Sequence, residues 1–214
     1  MGIINQDPAV QVILLPIIIF ALSFHEYAHG WMAYRFGDPT AYHAGRLTLN
    51  PLAHLDPFGA LVLYLVGFGW AKPVPVDPRY LQDPRRDMMW IALAGPASNF
   101  FLAFVSGILM VVTLYLLPSP SDLLLAVLQL SLYINLALAV FNFLPIPPLD
   151  GSRILTGLVS LRHRETLYTL EVYGPRVLLG VILLGMLTGF NVLGMIMYPV
   201  IRFFANVFTF GLVF

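Results

Sequence analysis

The sequence predicts an all-α polytopic membrane protein, a helical bundle of about four to six transmembrane segments with a re-entrant or extended segment near 58–76. Three observations lead there. Of 214 residues, 59% are hydrophobic and 10% charged, and the mean hydropathy is +0.83. Soluble domains carry roughly a quarter charged residues, and a soluble core of this length has too little interior to hide so much apolar surface, so lipid must cover part of it. The apolar residues also fall into runs long enough to cross a bilayer, which takes about 20 residues. Finally, ten of the eleven Lys and Arg residues collect in the segments at one end of those runs.

The first run extends from about Ala9 to Tyr34. The residues before it contain no Lys or Arg, unlike the start of a signal peptide, so the run is expected to be retained as a span. Phe58–Trp70 follows, about 13 apolar residues that include Gly59, Gly67 and Gly69. It is too short to cross and its glycines weaken it as a helix. A re-entrant or partly extended path is expected, covered by protein or by a water cavity. Met88–Leu117 is the second span and Leu123–Leu144 the third. The stretch from Val177 onward holds one full span and room for a second, short or interfacial one.

If Phe58–Trp70 does not cross, loops 35–56, 71–87 and 151–176 share one side. They carry Arg35, Arg46, Lys72, Arg79, Arg85, Arg86, Arg153, Arg162, Arg164 and Arg176, whereas Pro118–Ser121 on the opposite side is uncharged. The excess of positive charge puts those loops in the cytoplasm and the N-terminus outside. The side of Arg202 depends on how the C-terminal stretch divides. No repeat is visible and no loop exceeds about 30 residues, too few for an inserted soluble domain, so residues 1–214 read as a single transmembrane domain. A net charge of zero leaves no basic footprint for nucleic acid. The lack of cysteine excludes disulfides, thiolate zinc sites and cysteine nucleophiles. Nothing in the sequence indicates an oligomeric state.

Of the eleven acidic residues, Glu26 is the one deep inside an expected span, where an ionisable side chain is costly and marks function. Its neighbours form His25-Glu-Tyr-Ala-His29. On a helix, residues four apart share a face, so both imidazoles can bind one zinc ion while Glu26 stands beside the water the metal activates. Catalytic zinc commonly takes three protein ligands, and His43, His54, Asp56, Asp150 and His163 are the candidates for the third. Glu26 lies about nine residues, roughly 13 Å, from the cytoplasmic end of its helix, so the third ligand should come from that end of another span. Asp150 does, at the close of Asn142-Phe-Leu-Pro-Ile-Pro-Pro-Leu-Asp150-Gly151. The three prolines prevent regular helix there and Gly151 permits a turn that aims a carboxylate inward. An aspartate in Asp-Gly-Ser equally suits the start of the next helix, and spacing alone leaves both readings open.

His-Glu-x-x-His in the first core span, followed by Asn-x-x-Pro-x-x-x-x-Asp-Gly at the end of a later one, resembles the site-2 protease family of intramembrane zinc metalloproteases. Gly95-Pro-Ala-Ser-Asn99 is similar to the family's Gly-Pro-x-x-Asn element, and Arg46-Leu-Thr-Leu-Asn-Pro51 and Ala71-Lys-Pro-Val-Pro-Val76 resemble its short bacterial and archaeal branch, which has no PDZ domain. The match covers about residues 20–155. The resemblance implies one zinc ion per chain held by His25, His29 and Asp150, Glu26 as the catalytic glutamate, and a multi-pass protein of a prokaryotic inner membrane with its active site towards the cytoplasm.

A membrane protease of this kind takes transmembrane or membrane-anchored segments as substrate, and these must unwind before attack; unpaired backbone in an apolar setting costs several kcal/mol per group (about 2–7). Asn142 and Asn99, amides within apolar spans, are candidates to bind substrate backbone or the oxyanion, or else to bond helix to helix. Lys72–Val76 is a candidate edge for an extended substrate strand. His54 is a candidate supporting group near the cavity. His43 and His163 read as loop residues, and Trp31, Trp70 and Trp90 as interfacial anchors. Two other classes compete: a zinc transporter, which would show the duplicated halves absent here, and a non-catalytic relative that binds membrane helices, which would have no need of Glu26.

Overall fold

The computed structural model describes residues 3–67 and 69–212. They form eight α-helices: α1 (Pro8–Arg35), α2 (Thr40–His43), α3 (Pro57–Val66), α4 (Pro84–Leu116), α5 (Asp122–Asn142), α6 (Asp150–Leu158), α7 (Arg164–Thr188) and α8 (Val192–Phe208). No strand occurs among the described residues. Four helices, α1, α4, α5 and α7, are long and apolar enough to cross a membrane, while α3 and α8 are apolar but shorter. The chain is therefore a multi-pass, all-helical membrane protein.

Local chemistry sets the helix starts. Pro84 opens α4, a position where a missing N–H costs nothing, and the Asp83 carboxylate accepts from the Arg86 N–H. The helix thus begins four residues before the apolar run at Met88. Ser121 caps α5 by accepting from the Leu124 N–H. The fourth span departs further from expectation. Residues 164–176 are the first half of α7 rather than part of a loop, and α6 occupies most of the remainder of 151–176. Arg164, Glu165, Glu171 and Arg176 interrupt the hydropathy of that stretch, yet Arg and Glu are good helix formers, so hydropathy places the boundary too late. The C-terminal region resolves as expected into one full-length helix and a shorter one.

Helices α1, α4 and α5 form an antiparallel core. His25 and His29 of α1 meet Asn99 and Ile91 of α4, and Asn99 and Ser106 of α4 meet Asn135 and Ser131 of α5. Each pair runs in opposite directions, so the end of α1, the start of α4 and the chain leaving α5 converge at one end of the bundle. α8 closes the other side, where Ala205 with Phe204 and Phe208 packs on Ala103, Leu132 and Leu136. At the convergent end Ala33, Leu81 and Ile91 form a second apolar cluster. Arg85 reaches from α4 to the Thr156 carbonyl (2.8 Å) and to that of Val159, tying α6 beneath it.

The segment near 58–76 is a hairpin of two unlike limbs. Residues 57–66 are helical despite Gly59, expected only to weaken a helix, and the non-helical part of the segment begins at Gly67. Asp56 caps the helix through the Gly59 N–H (2.7 Å), and Gly67 ends it in the left-handed conformation. From Gly69 the chain returns extended, with Trp70 folded against Gly59; Phe68, within the expected segment, lies outside the described residues. The Lys72 N–H donates to the His54 carbonyl (2.8 Å), so the entry and exit of the hairpin meet. Ten helical residues span about 15 Å, half a bilayer core, which suits a re-entrant path.

The extended limb is pinned at its far end by Asp38. This aspartate is fully buried and accepts from the N–H and hydroxyl of Thr40 and from the Asp77 N–H at 2.8 Å. Removing it strands three donors. Asp38→Ala is expected to destabilise the protein by about 2 kcal/mol, seen as a thermal midpoint lower by roughly 4–8 °C in detergent; an unchanged midpoint would dismiss the pin. Asp77 itself bonds Arg79, whose guanidinium holds that carboxyl below the ordinary carboxylate range.

Candidate metal centre

His25 and His29 project from the face of α1 that packs on α4. His25 Nδ1 lies 2.7 Å from Asn99 Oδ1, and His29 Nδ1 lies 2.7 Å from the Ile91 carbonyl oxygen. A carbonyl can only accept, so His29 carries its proton on Nδ1. Asn99 is fully buried, and its NH2 group donates to the Ala21 carbonyl (3.2 Å) and to Asn135 Oδ1 (3.0 Å). Its own oxygen must therefore face His25, which fixes the proton of that ring on Nδ1 as well. In the neutral rings each Nε2 then presents its lone pair, and the two atoms lie 3.0 Å apart.

Asp150 completes the cluster. It is the first residue of α6, and Leu149 in the cap position makes no side-chain cap bond. Its carboxylate is turned instead to α1, with Oδ2 3.1 Å from His25 Nε2 and 3.3 Å from His29 Nε2. Pro145, Pro147 and Pro148 keep the chain out of helix between α5 and α6, and Gly151 passes against the Phe143 and Leu144 carbonyls where no side chain fits. With both rings neutral, three acceptor atoms meet at one point, an arrangement suited to a cation held at its centre. Tetrahedral zinc with bonds of about 2.0–2.2 Å separates its ligand atoms by about 3.3 Å, so the donor set and its spacing fit zinc. Among the described residues these are the His and acidic side chains grouped closely enough to hold a metal ion.

Gly95 leaves room for the group. A Cβ at this position of α4 would stand 2.6 Å from His25 Nε2 and nearer still to the His29 ring. The next residue, Pro96, has no N–H to give the preceding turn of α4.

Glu26 faces the extended limb of the hairpin. Its Oε2 accepts from the Val74 N–H at 2.8 Å. The limb is held on either side of that contact: Arg46 Nη2 donates to the Lys72 carbonyl (2.6 Å), and Lys72 and Asp77 donate to His54 and Asp38. The N–H groups of Lys72, Val74 and Asp77 are consequently engaged inside the protein. They are not open to a substrate strand, which narrows the edge expected at Lys72–Val76.

Of the remaining candidates, Asn99 bonds the trio through His25. Asn142 donates to the Leu138 carbonyl of its own helix (3.0 Å). Asn99, expected against substrate or oxyanion, has its amide engaged on His25, Ala21 and Asn135. His54 is buried, bonds the Thr48 carbonyl (2.7 Å) through Nε2, leaves Nδ1 without a partner, and lines a cavity of about 120 Å³ with Leu22, Ser23 and Trp70. His43 and His163 are exposed, and Asp56 caps α3. Two contributors went unread: Asn135, whose signal was an amide inside an apolar span, and the Val74 N–H, a backbone group with no side-chain signal.

The peptidase family M50 model matches residues 105–185. The chain is 42% identical over 165 residues to the Bacillus subtilis protein named "Putative zinc metalloprotease YwhC", covering 75% of each chain. Two others bear the same description. MJ0611 of Methanocaldococcus jannaschii is 33% identical over 71% of this chain and 73% of its own. Rip2 of Mycolicibacterium smegmatis is 33% identical over 62% of this chain, which spans about half (52%) of that protein's length. No solved structure matches it.

Proposed function

The chain belongs to peptidase family M50, the site-2 protease family of membrane zinc metalloproteases, and from that premise we propose that it is an intramembrane endopeptidase. It hydrolyses peptide bonds in transmembrane or membrane-anchored segments, near the cytoplasmic face of a prokaryotic inner membrane, with one zinc ion per chain. The observation that carries this reading is the cluster of His25 Nε2, His29 Nε2 and Asp150 Oδ2 within 3.3 Å of one another. Zinc, when bound, polarises the scissile carbonyl and lowers the pKa of water so that a nucleophile exists at neutral pH.

The protein's own residues do the rest. Asn99 and the Ile91 carbonyl hold the two imidazoles in the tautomer that offers Nε2 to the metal. Glu26 accepts the proton of the attacking water and passes it to the leaving amine. The Val74 N–H holds one carboxylate oxygen of Glu26 and fixes the rotamer, leaving the other oxygen to handle the proton. Water must reach this site, and the convergent end of the bundle, rich in charged loops, is the end from which it enters.

The reading is tested by metal content and cleavage together. Protein purified in detergent should hold about one zinc per chain, and in proteoliposomes it should cut single-span reporter segments in a chelator-sensitive way. Absence of zinc after reconstitution would sink the proposal. Val74→Pro removes the N–H that steadies Glu26 and should lower kcat by about tenfold or more with zinc retained. Unchanged kcat would show that Glu26 needs no such support.

A further inference from the structure

The bond between Asn99 and His25 is only as good as the orientation of the Asn99 amide. Turned over, Asn99 presents an N–H to His25 Nδ1, favours the tautomer with its proton on Nε2, and so blocks the atom that faces the metal. Two acceptors resist the turn, the Ala21 carbonyl of α1 and, further from the site, Asn135 on α5. Asn135 is 2% exposed, and its Oδ1 takes the Asn99 N–H at 3.0 Å, shorter than the 3.2 Å bond from Asn99 to the Ala21 carbonyl. Asn135 is itself fixed, because its NH2 donates to the Ser131 carbonyl at 2.9 Å, an atom that can only accept. The order of donors and acceptors therefore runs one way from a main-chain carbonyl of α5, through two amides, to the imidazole.

We propose that Asn135 is a positioning residue for the metal centre: through Asn99 it sets the tautomer of His25 and keeps the Nε2 lone pair available to zinc. The inference rests on the zinc reading above. Asn135 touches neither metal nor substrate, and a helix-packing role alone gives no reason for its amide to be polarised towards His25. It also lines an apolar cavity of about 280 Å³ with Pro16, Phe20, Leu102 and Leu128, and its polar atoms have Asn99 and Ser131 as their partners.

The test is zinc affinity by chelator competition, with cobalt(II) replacing zinc as a spectroscopic probe of the ligand set. Asn135→Leu should bind zinc about tenfold more weakly, as expected when an outer partner of a metal ligand is lost, and should alter the visible cobalt spectrum. Asn135→Asp, neutral in this apolar setting, keeps a carbonyl towards Asn99 and an O–H towards Ser131, and should restore both affinity and spectrum. Ser131→Ala leaves the Ser131 main-chain carbonyl in place and should change neither. A wild type that takes up no zinc overturns the zinc reading together with this inference. A wild type and Asn135→Leu that bind zinc equally and give one cobalt spectrum overturn the positioning role alone, as does an Asn135→Asp variant that is well folded yet as weak as Asn135→Leu.

Discussion

Glu26→Gln is expected to reduce cleavage by about a thousandfold while the zinc content stays that of the wild type. General acid–base catalysis contributes roughly 10²–10⁴ in rate, and in the proposed mechanism the same carboxylate serves both directions of proton transfer. The substitution is clean for a structural reason. The Val74 N–H donates to Oε2, and a glutamine oxygen accepts the same bond, so the extended limb has no cause to move. What the amide cannot do is take up a proton. The measurement is turnover of single-span reporter segments in proteoliposomes beside zinc per chain on the same sample. Cleavage within tenfold of wild type would remove Glu26 from the chemistry, whereas joint loss of zinc and cleavage would recast it as a support of the metal.

The second large effect belongs to Asp150. Asp150→Ala is expected to lower zinc affinity by more than the roughly 10–100-fold typical of losing an outer partner, because it deletes a donor atom 3.1 and 3.3 Å from the two imidazole nitrogens. The two imidazole nitrogens, 3.0 Å apart, then lack the negative charge that completes the set. Chelator competition reads the affinity. A thermal scan with added zinc supplies a second readout, since a ligand stabilises by RT ln(1 + [L]/Kd), and the zinc-dependent rise in midpoint should disappear in the variant. Zinc bound as tightly as in wild type would move the third ligand elsewhere, with His54 the next to replace.

The parts of this protein that were legible in the sequence are those whose chemistry is local. His25, Glu26 and His29 lie within five consecutive residues, and helical geometry alone puts the two imidazoles on one face. The spans were legible because lipid selects on composition, which is why the runs at Ala9–Tyr34 and Leu123–Leu144 fall within a few residues of α1 and α5. Hydropathy failed at α7, where charged helix formers extend the helix beyond its apolar half. The glycine pattern told less at α3, because Gly59 signals the passage of Trp70 rather than a break. Asn99 was visible as an unusual amide but not as a partner of His25. Its role depends on which atoms of α1 and α5 surround it, and no spacing along one chain segment carries that information. The Val74 contact is more hidden still, since any residue but proline offers the same N–H.

The close fit at Gly95 also bears on what the metal centre tolerates. At Gly95 the smallest possible elaboration, a single methyl group, lands on the imidazole nitrogens that face the metal. Gly95→Ala is therefore expected to weaken zinc binding even though His25, Glu26, His29 and Asp150 all persist. The added methyl would leave every reactive group in the chain while pushing the two imidazoles out of the positions that bring them together.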